Sequence, residues 1–227
     1  MSNYIWITFD CYGTLIDWER GIAAAFEKIA MAAGAPFDRN QVLKLYRKYE
    51  KEEEFQYRKY HDVLKRVARR ICFDMGFQTS TYDFLVDSVQ RWRPFPDTNV
   101  AMQRLARRHK LGILSNIDND LLLQTRKHLT VNFDLIVTAE NIQSYKPEPR
   151  HFQEARRKIG KADWIHAAQS YDHDILPCKR LGIDSAWINR TQEPLKDEDV
   201  KPLFNGPDLY RFANWIEGVD SSPNLLG

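Results

Sequence analysis

Apolar residues cluster along this chain in two ways. Short runs that are apolar on successive positions, rich in β-branched and aromatic side chains, occur at Tyr4 to Phe9, Lys110 to Leu114, Asp134 to Val137, Trp164 to Ala168 and Ser185 to Ile188. Runs that short, with no polar alternation, suit strands buried on both faces. From Asn99 onward they alternate with helical patterns at Val100 to Arg108, Asn119 to His128, Arg150 to Ile159 and Ile175 to Leu181. Strand, helix, strand in that rhythm predicts an α/β fold in which a parallel sheet lies between helices.

Residues 18 to 91 break the rhythm. Strand-like runs vanish, and Tyr57, Tyr60, Leu64, Val67 and Ile71 recur at spacings of three and four, which is one face of a helix. The charges around them, Lys44 to Lys51, Glu52 to Glu54 and Arg58 to Arg70, read as the solvated faces of amphipathic helices. The segment opens directly after the first strand. It therefore predicts an all-helical insertion at 18–91 in a core made of 1–17 and 92–227. Trp92 to Asp97 carries two prolines, which forbid helix continuation, and reads as a stiff return linker. Past Asn189 the chain is polar with Pro and Gly, and only Asp208 to Glu217 has a helical pattern.

Composition narrows the class. With 43% hydrophobic and 12% aromatic residues in 227, the chain can bury a core and is not disordered. Thirty-three Lys and Arg against 31 Asp and Glu leave +2, too balanced to point to a polyanion. The basic stretch Lys65 to Arg70 adjoins Glu-rich sequence and forms no nucleic-acid reading module, so no nucleic-acid partner is expected. No apolar run approaches the roughly 18 residues of a membrane span. The first ten residues lack the basic and apolar regions of a secretory signal. Cys11, Cys72 and Cys178 are odd in number, scattered and without a CxxC pair. A cytoplasmic setting, with thiols used as small buried hydrophobes, fits that pattern.

An open parallel sheet binds ligands outside the carboxyl ends of its strands, so the residues that follow each run are the candidates. Asp10 ends the first run, with Gly13 and Thr14 after it. Alone, an Asp before a glycine-containing turn is an ordinary turn residue. The neighbouring strand ends change that reading, because they add Ser115 and Asn116, the cation of Lys146 and the second carboxylate of Asp174. A nucleophilic carboxylate, a cation, hydrogen-bond donors and a second carboxylate suffice for hydrolysis through an aspartyl ester.

The segments Phe9-Asp10-Cys11-Tyr12-Gly13-Thr14-Leu15, Leu114-Ser115-Asn116, Tyr145-Lys146-Pro147-Glu148 and an acidic stretch ending in Asp174 resemble, in order, the four motifs of the haloacid dehalogenase superfamily. The likeness runs over nearly the whole chain. Asp-x-Tyr-Gly-Thr-Leu, Ser-Asn, and Ala186 to Arg190 resemble its L-2-haloacid dehalogenase (type II) branch. The resemblance implies a Rossmann-like core with an inserted helical cap. It also implies metal-independent hydrolysis of small 2-haloalkanoic acids, with no cofactor. In that scheme Asp10 attacks C2 of an (S)-2-halo acid, Thr14 orients it, Lys146 holds it and balances charge, and Asp174 is the base for the water that attacks the ester. Cys11, Tyr12, Ser115 and Tyr171 fall at substrate-binding positions. Arg47, with Asn116, matches the pair that cradles the departing halide, although a solvated surface role for Arg47 is equally open. The partners implied are a small carboxylate substrate and water, and the type II enzymes are often homodimers.

Chemistry supports the branch. Phosphatases of the superfamily carry Asp-x-Asp, whose second Asp protonates a departing alkoxide while Mg2+ screens the phosphate. Here that position is Tyr12, a phenol with a pKa of about 10, and Ser170 stands where the phosphatases have another metal-binding Asp. A halide leaves without a proton and needs neither. The alternative is a Mg2+-dependent phosphatase using Asp10, Asp174 and Asp172; a third reading is a binding protein without catalysis. Two departures from the dehalogenase pattern stand out: Tyr171 replaces an asparagine three residues before Asp174, and Phe152 replaces a tyrosine six residues after Lys146. His173 and Asp172 read as helix-start residues, Asp172 or Asp174 capping the helix that follows, and His166 as a hydrogen-bonded core residue.

Overall fold

A computed structural model describes residues 3–195 and 200–219; stretches 196–199 and 220–227 of the polar tail lie outside the described residues. Strands β1 (Trp6–Phe9), β2 (Lys110–Ser115), β3 (Leu135–Thr138), β4 (Trp164–Ala168), β5 (Asp184–Ile188) and β6 (Phe204–Gly206) form one sheet, ordered β3-β2-β1-β4-β5-β6. Every pairing is parallel. β1 lies inside the sheet, with Phe9 level with Ile113 of β2 and Ala167 of β4. Ile7, Phe9, Ile113, Ile165 and Ala167 are all fully buried, which is why these strands show no polar alternation. The five apolar runs correspond to β1–β5. The sixth strand has only Phe-Asn-Gly, too short and polar to register as a run, and forms because it pairs with Ala186–Ile188.

Helices α1 (Trp18–Ala32), α2 (Arg39–Glu53), α3 (Tyr60–Met75) and α4 (Phe84–Ser88) separate β1 from the rest of the sheet sequence. α5 (Thr98–Leu105), α6 (Asn119–Arg126), α7 (Ala139–Ile142), α8 (Arg150–Ile159), α9 (Leu176–Arg180) and α10 (Leu209–Glu217) flank the strands. Asp17 and Asp38 cap α1 and α2 by accepting from the N–H of Arg20 and Gln41. α2 buries Val42, Leu43, Tyr46 and Tyr49, and α3 buries Val63, Leu64, Val67 and Ile71, so the two amphipathic faces meet. Tyr57 is not on the α3 face that its spacing suggested. The helix starts only at Tyr60, and Tyr57 packs in the preceding loop with its ring 5.6 Å from that of Tyr145. No helix among the described residues is long and apolar enough to cross a membrane. All three cysteines are free and buried.

Two strands of chain join the insertion to the sheet side by side. Asp17 N–H donates to Arg93 O at 2.9 Å and Phe95 N–H to Leu15 O at 3.1 Å. A third tie comes from the start of α6. Lys59, at the N-cap of α3, makes no side-chain cap. Asp118, buried in the core, caps that helix from outside, accepting from the N–H of Tyr60 and of His61 at 3.0 Å each and contacting His61 Nδ1 at 2.6 Å. Asp118→Ala leaves those donors unpaired at the seam between insertion and sheet. The expected cost is about 2 kcal/mol, measured as a lower unfolding midpoint together with faster protease cleavage in the 54–59 segment.

Candidate active site

β1 ends by delivering Asp10, whose N–H donates to Ala167 O of the adjacent strand at 3.1 Å. The chain then coils back: Leu15 and Ile16 N–H both donate to Cys11 O, at 2.8 and 3.0 Å, and Gly13 N–H to Ile16 O at 2.8 Å. Gly13 has φ +97°, and a Cβ there would lie 3.1 Å from both Gln169 Oε1 and Trp18 Nε1. Only glycine fits that turn without strain. The coil brings Thr14 back over the carboxylate, where its hydroxyl donates to Asp10 Oδ2 at 2.9 Å and accepts from Gln169 N–H at 2.8 Å.

Lys146 spends all three ammonium protons here. Nζ donates to Asp10 Oδ1 at 2.8 Å, to Asp174 Oδ1 at 2.7 Å and to Leu114 O at 3.0 Å. Asn116 clamps the Lys146 backbone: Oδ1 accepts from Lys146 N–H at 2.7 Å and Nδ2 donates to Lys146 O at 3.1 Å. Asp174 sits in a π-helical turn after β4, Tyr171–Ile175, and its Oδ1 also meets His166 Nε2 at 2.9 Å. Behind it, His166 Nδ1 meets Thr8 Oγ1 at 2.8 Å, and Trp164 Nε1–H donates to the same oxygen at 2.7 Å. Burial by itself would raise Asp174, yet the Lys146 charge and the His166 contact outweigh it and hold its carboxyl well below the usual carboxylate range. For Lys146 burial acts the other way. Asp10 and Asp174 overcome it, so its ammonium is held above the usual lysine value. His166, a core histidine by sequence, is therefore also a support of Asp174.

These groups open on a cavity of about 80 Å³. That is well under the ~300 Å³ of the smallest pockets for drug-sized ligands, so it suits a molecule of few atoms. Asp10, Ser115, Asn116, Lys146, Ser170 and Asp174 line it from the core. Ser115 Oγ and Asp174 Oδ2 are buried there without a partner among the described residues. Tyr12 supplies a wall: its hydroxyl pairs with Thr125 Oγ1 at 2.7 Å and its ring meets Trp92 edge-on at 5.7 Å. Trp92 lies where a Cβ on Gly21 of α1 would stand 2.2 Å from its ring, so that glycine makes room for the wall. Burial pushes the Tyr12 phenol well above its ordinary value, which makes it an even poorer acid than the sequence suggested.

Several sequence expectations are corrected. Arg47 does not reach the cavity: it is exposed, paired with Glu19, with its guanidinium 5.5 Å from the centre of the Trp18 ring. α2 turns Tyr46 and Tyr49 inward, which leaves position 47 on the solvent side. Asn116 lines the cavity, but its amide is committed to Lys146 at both ends. Cys11 is fully buried and outside the lining, its thiol raised by burial. Tyr171 points away, donating to Val200 O at 3.1 Å with its ring 5.1 Å from Trp187. Ser170, not Asp172 or Asp174, caps the following turn by accepting from His173 N–H at 3.2 Å. Phe152 is fully buried, edge-on to His166 at 5.3 Å.

Five lining residues were not foreseen as site groups: Glu50, Glu54 and Tyr60 from the insertion, and Ser170 and His173. A signal existed for two of them. Tyr46, Glu50 and Glu54 repeat every four residues on one helix stripe, but the surrounding charge masked it.

A divalent metal would need Asp10, Asp174 and Asp172 to converge. Asp172 is exposed and outside the cavity. Both Asp10 oxygens and Asp174 Oδ1 already accept from Lys146, Thr14 or His166, leaving Asp174 Oδ2 as the free carboxylate oxygen of that pair. With Lys146 seated between Asp10 and Asp174 and Asp172 turned out, the site offers fewer carboxylates than the three the phosphatase reading uses. Elsewhere His61, Asp118 and Asp120 stand close enough to share an ion, but they form the seam described above and line no part of this cavity.

A family model described as haloacid dehalogenase-like hydrolase matches residues 6–170. Among relatives, an (S)-2-haloacid dehalogenase from Pseudomonas putida is 26% identical over 95% of this chain and 98% of its own length. A glyceraldehyde 3-phosphate phosphatase from Methanothermobacter thermautotrophicus is also 26% identical, over 89% of this chain and 92% of its own. Of solved structures, an L-2-haloacid dehalogenase from Xanthobacter autotrophicus with chloropropionic acid covalently bound superposes with a TM-score of 0.80 at 19% identity, covering 95% of this chain and 99% of that one.

Proposed function

Because this chain belongs to the haloacid dehalogenase-like hydrolases, we propose that it is a metal-independent hydrolase that cleaves the carbon–halogen bond of a small 2-haloalkanoic acid. The observation that carries the reading is the tethering of the Tyr12 hydroxyl to Thr125 beside the nucleophile. With that phenol raised and occupied, no acid stands two residues after Asp10 to protonate an alkoxide, and a halide needs none.

The residues divide the work. Asp10, aligned by Thr14 and Lys146, attacks C2 from behind the carbon–halogen bond; the new C–O bond forms as halide leaves with the bonding pair. Ser115 Oγ, buried and unpartnered, is free to donate to the substrate carboxylate. Water then attacks the Asp10 carboxyl carbon; one of its protons passes to the departing alkoxide oxygen and the other to bulk water by way of Asp174 Oδ2, and breaking the acyl C–O bond releases a 2-hydroxy acid and restores the Asp10 carboxylate. Asp174 Oδ2, also unpartnered, accepts a hydrogen bond from that water and orients it. The Lys146 charge lies 2.8 Å from Asp10 Oδ1 and balances the anionic intermediate.

Chloride or bromide release from (S)-2-halopropanoate in the presence of EDTA is the expected result, with a mass adduct on Asp10 when the reaction is quenched early. Metal-stimulated cleavage of p-nitrophenyl phosphate without any halide release would overturn the reading.

A further inference from the structure

The wall that the insertion contributes to the cavity is acidic. Glu50 and Glu54, one turn apart at the end of α2, both line it. Glu50 Oε1 accepts from the Tyr46 hydroxyl at 2.9 Å and from the Tyr60 hydroxyl. The Glu54 carboxyl has no hydrogen-bond partner among the described residues. Among the described residues no arginine lines the cavity, and the lysine that does, Lys146, has every proton engaged. The nearby cations are spoken for, Arg47 by Glu19 and Arg58 by Glu53. His173 is the remaining basic group in the lining. Each acid keeps some surface open to the cavity, yet burial pushes both carboxyls up, Glu54 furthest because the Glu50 charge adds to it. Two enclosed carboxyls with no cation in direct contact among the described residues are costly to ionise, and a ligand cation seated between them would lower that cost.

On the core side of the same cavity Ser115 Oγ is 99% buried and unpaired, a donor waiting for an acceptor. The core side of the cavity thus offers a free donor beside the reacting acids, and the insertion side offers acids. We propose that its substrate is a zwitterion, a small 2-halo acid bearing an ammonium group, with the carboxylate taken by Ser115 and the ammonium by Glu50 and Glu54. The site of attack rests on the haloacid reading; the recognition of the amine does not. An ammonium placed between these carboxyls makes charge-assisted N–H···O bonds, which are stronger than neutral ones.

The test uses unreactive probes first. Calorimetric titration of the whole protein with 3-aminopropanoate and with propanoate should show the amino acid bound about tenfold or more tightly. Glu54→Gln, and more fully Glu50→Gln with Glu54→Gln, should erase that preference, while Ser115→Ala weakens both probes alike. Circular dichroism and unfolding midpoints confirm that each variant is folded. Equal affinity for the two probes, no binding of 3-aminopropanoate, or a preference that survives in the folded double variant overturns the proposal. Halide release from 3-amino-2-chloropropanoate is then compared with release from 2-chloropropanoate, and the amino compound should have the higher kcat/KM. An amine preference in binding without halide from either compound would leave the zwitterion site standing and defeat the dehalogenase reading. Halide from 2-chloropropanoate with no amine preference would do the reverse.

Discussion

On the dehalogenase reading, Asp10→Asn is expected to reduce halide release to background, a fall in kcat of at least ~10⁴, in a protein that folds normally. The amide keeps the size of the carboxylate and can still accept from Lys146 Nζ and pack beneath Thr14, so the architecture survives. What disappears is the anionic oxygen that attacks carbon. The early-quench adduct disappears with it. Thr14 holds Oδ2 and Lys146 holds Oδ1 at 2.9 and 2.8 Å, so the reacting carboxylate is clamped before substrate arrives. Halide release by folded Asp10→Asn at more than about a hundredth of the wild-type rate would mean that another group is the nucleophile.

Lys146→Met is the largest expected change in stability. It removes the cation shared by two carboxylates, at 2.8 Å from Asp10 and 2.7 Å from Asp174, in a place where the lysine side chain is 2% exposed. Breaking such a buried pair strands charge and costs about 3–5 kcal/mol; denaturant unfolding reads it directly. The sign with pH follows from the two shifts. Asp174 is lowered in the folded state, so its contribution is present above the unfolded carboxyl value of about 3.9 and is lost as pH falls through the folded value. Lys146 is raised, so its contribution is present below about 10.4 and is lost as pH rises through the folded value. The stability gap between wild type and Lys146→Met is therefore widest near neutral pH, and it narrows as pH falls, starting above the unfolded carboxyl value because burial without the lysine raises Asp174 in the variant. Catalysis falls too, since Asp10 loses its partner and Asp174 its position. A midpoint unchanged by Lys146→Met would remove the ion array from the account of both fold and site.

The core of the candidate site was legible because parallel sheets make strand-end residues converge in sequence order. Residues at the carboxyl ends of successive strands converge whatever the details of packing, so Asp10, Thr14, Ser115, Lys146 and Asp174 could be picked out one strand at a time. The inserted helices obey no such rule. A stripe of Tyr46, Glu50 and Glu54 is amphipathic in either orientation. Whether its acids face water or a cavity depends on how α2 is docked, which long-range contacts decide. The same docking carried Arg47 outward to Glu19. Asn116 shows a subtler limit: its place after β2 was evident, but not that the Lys146 backbone would occupy both ends of its amide.

Local pattern alone, then, determined five of the six strands, the helical insertion and the acid–lysine–acid set, because strand burial and strand-end convergence depend on periodicity and order along the chain. Tertiary packing decided the rest. It recruited His166 as a brace for Asp174, sent Tyr171 to Val200, closed the α3 N-terminus with Asp118, and turned two glutamates into the cavity. Each of those contacts joins groups whose positions no local pattern relates, and each is settled by which partner relieves the cost of a buried polar atom.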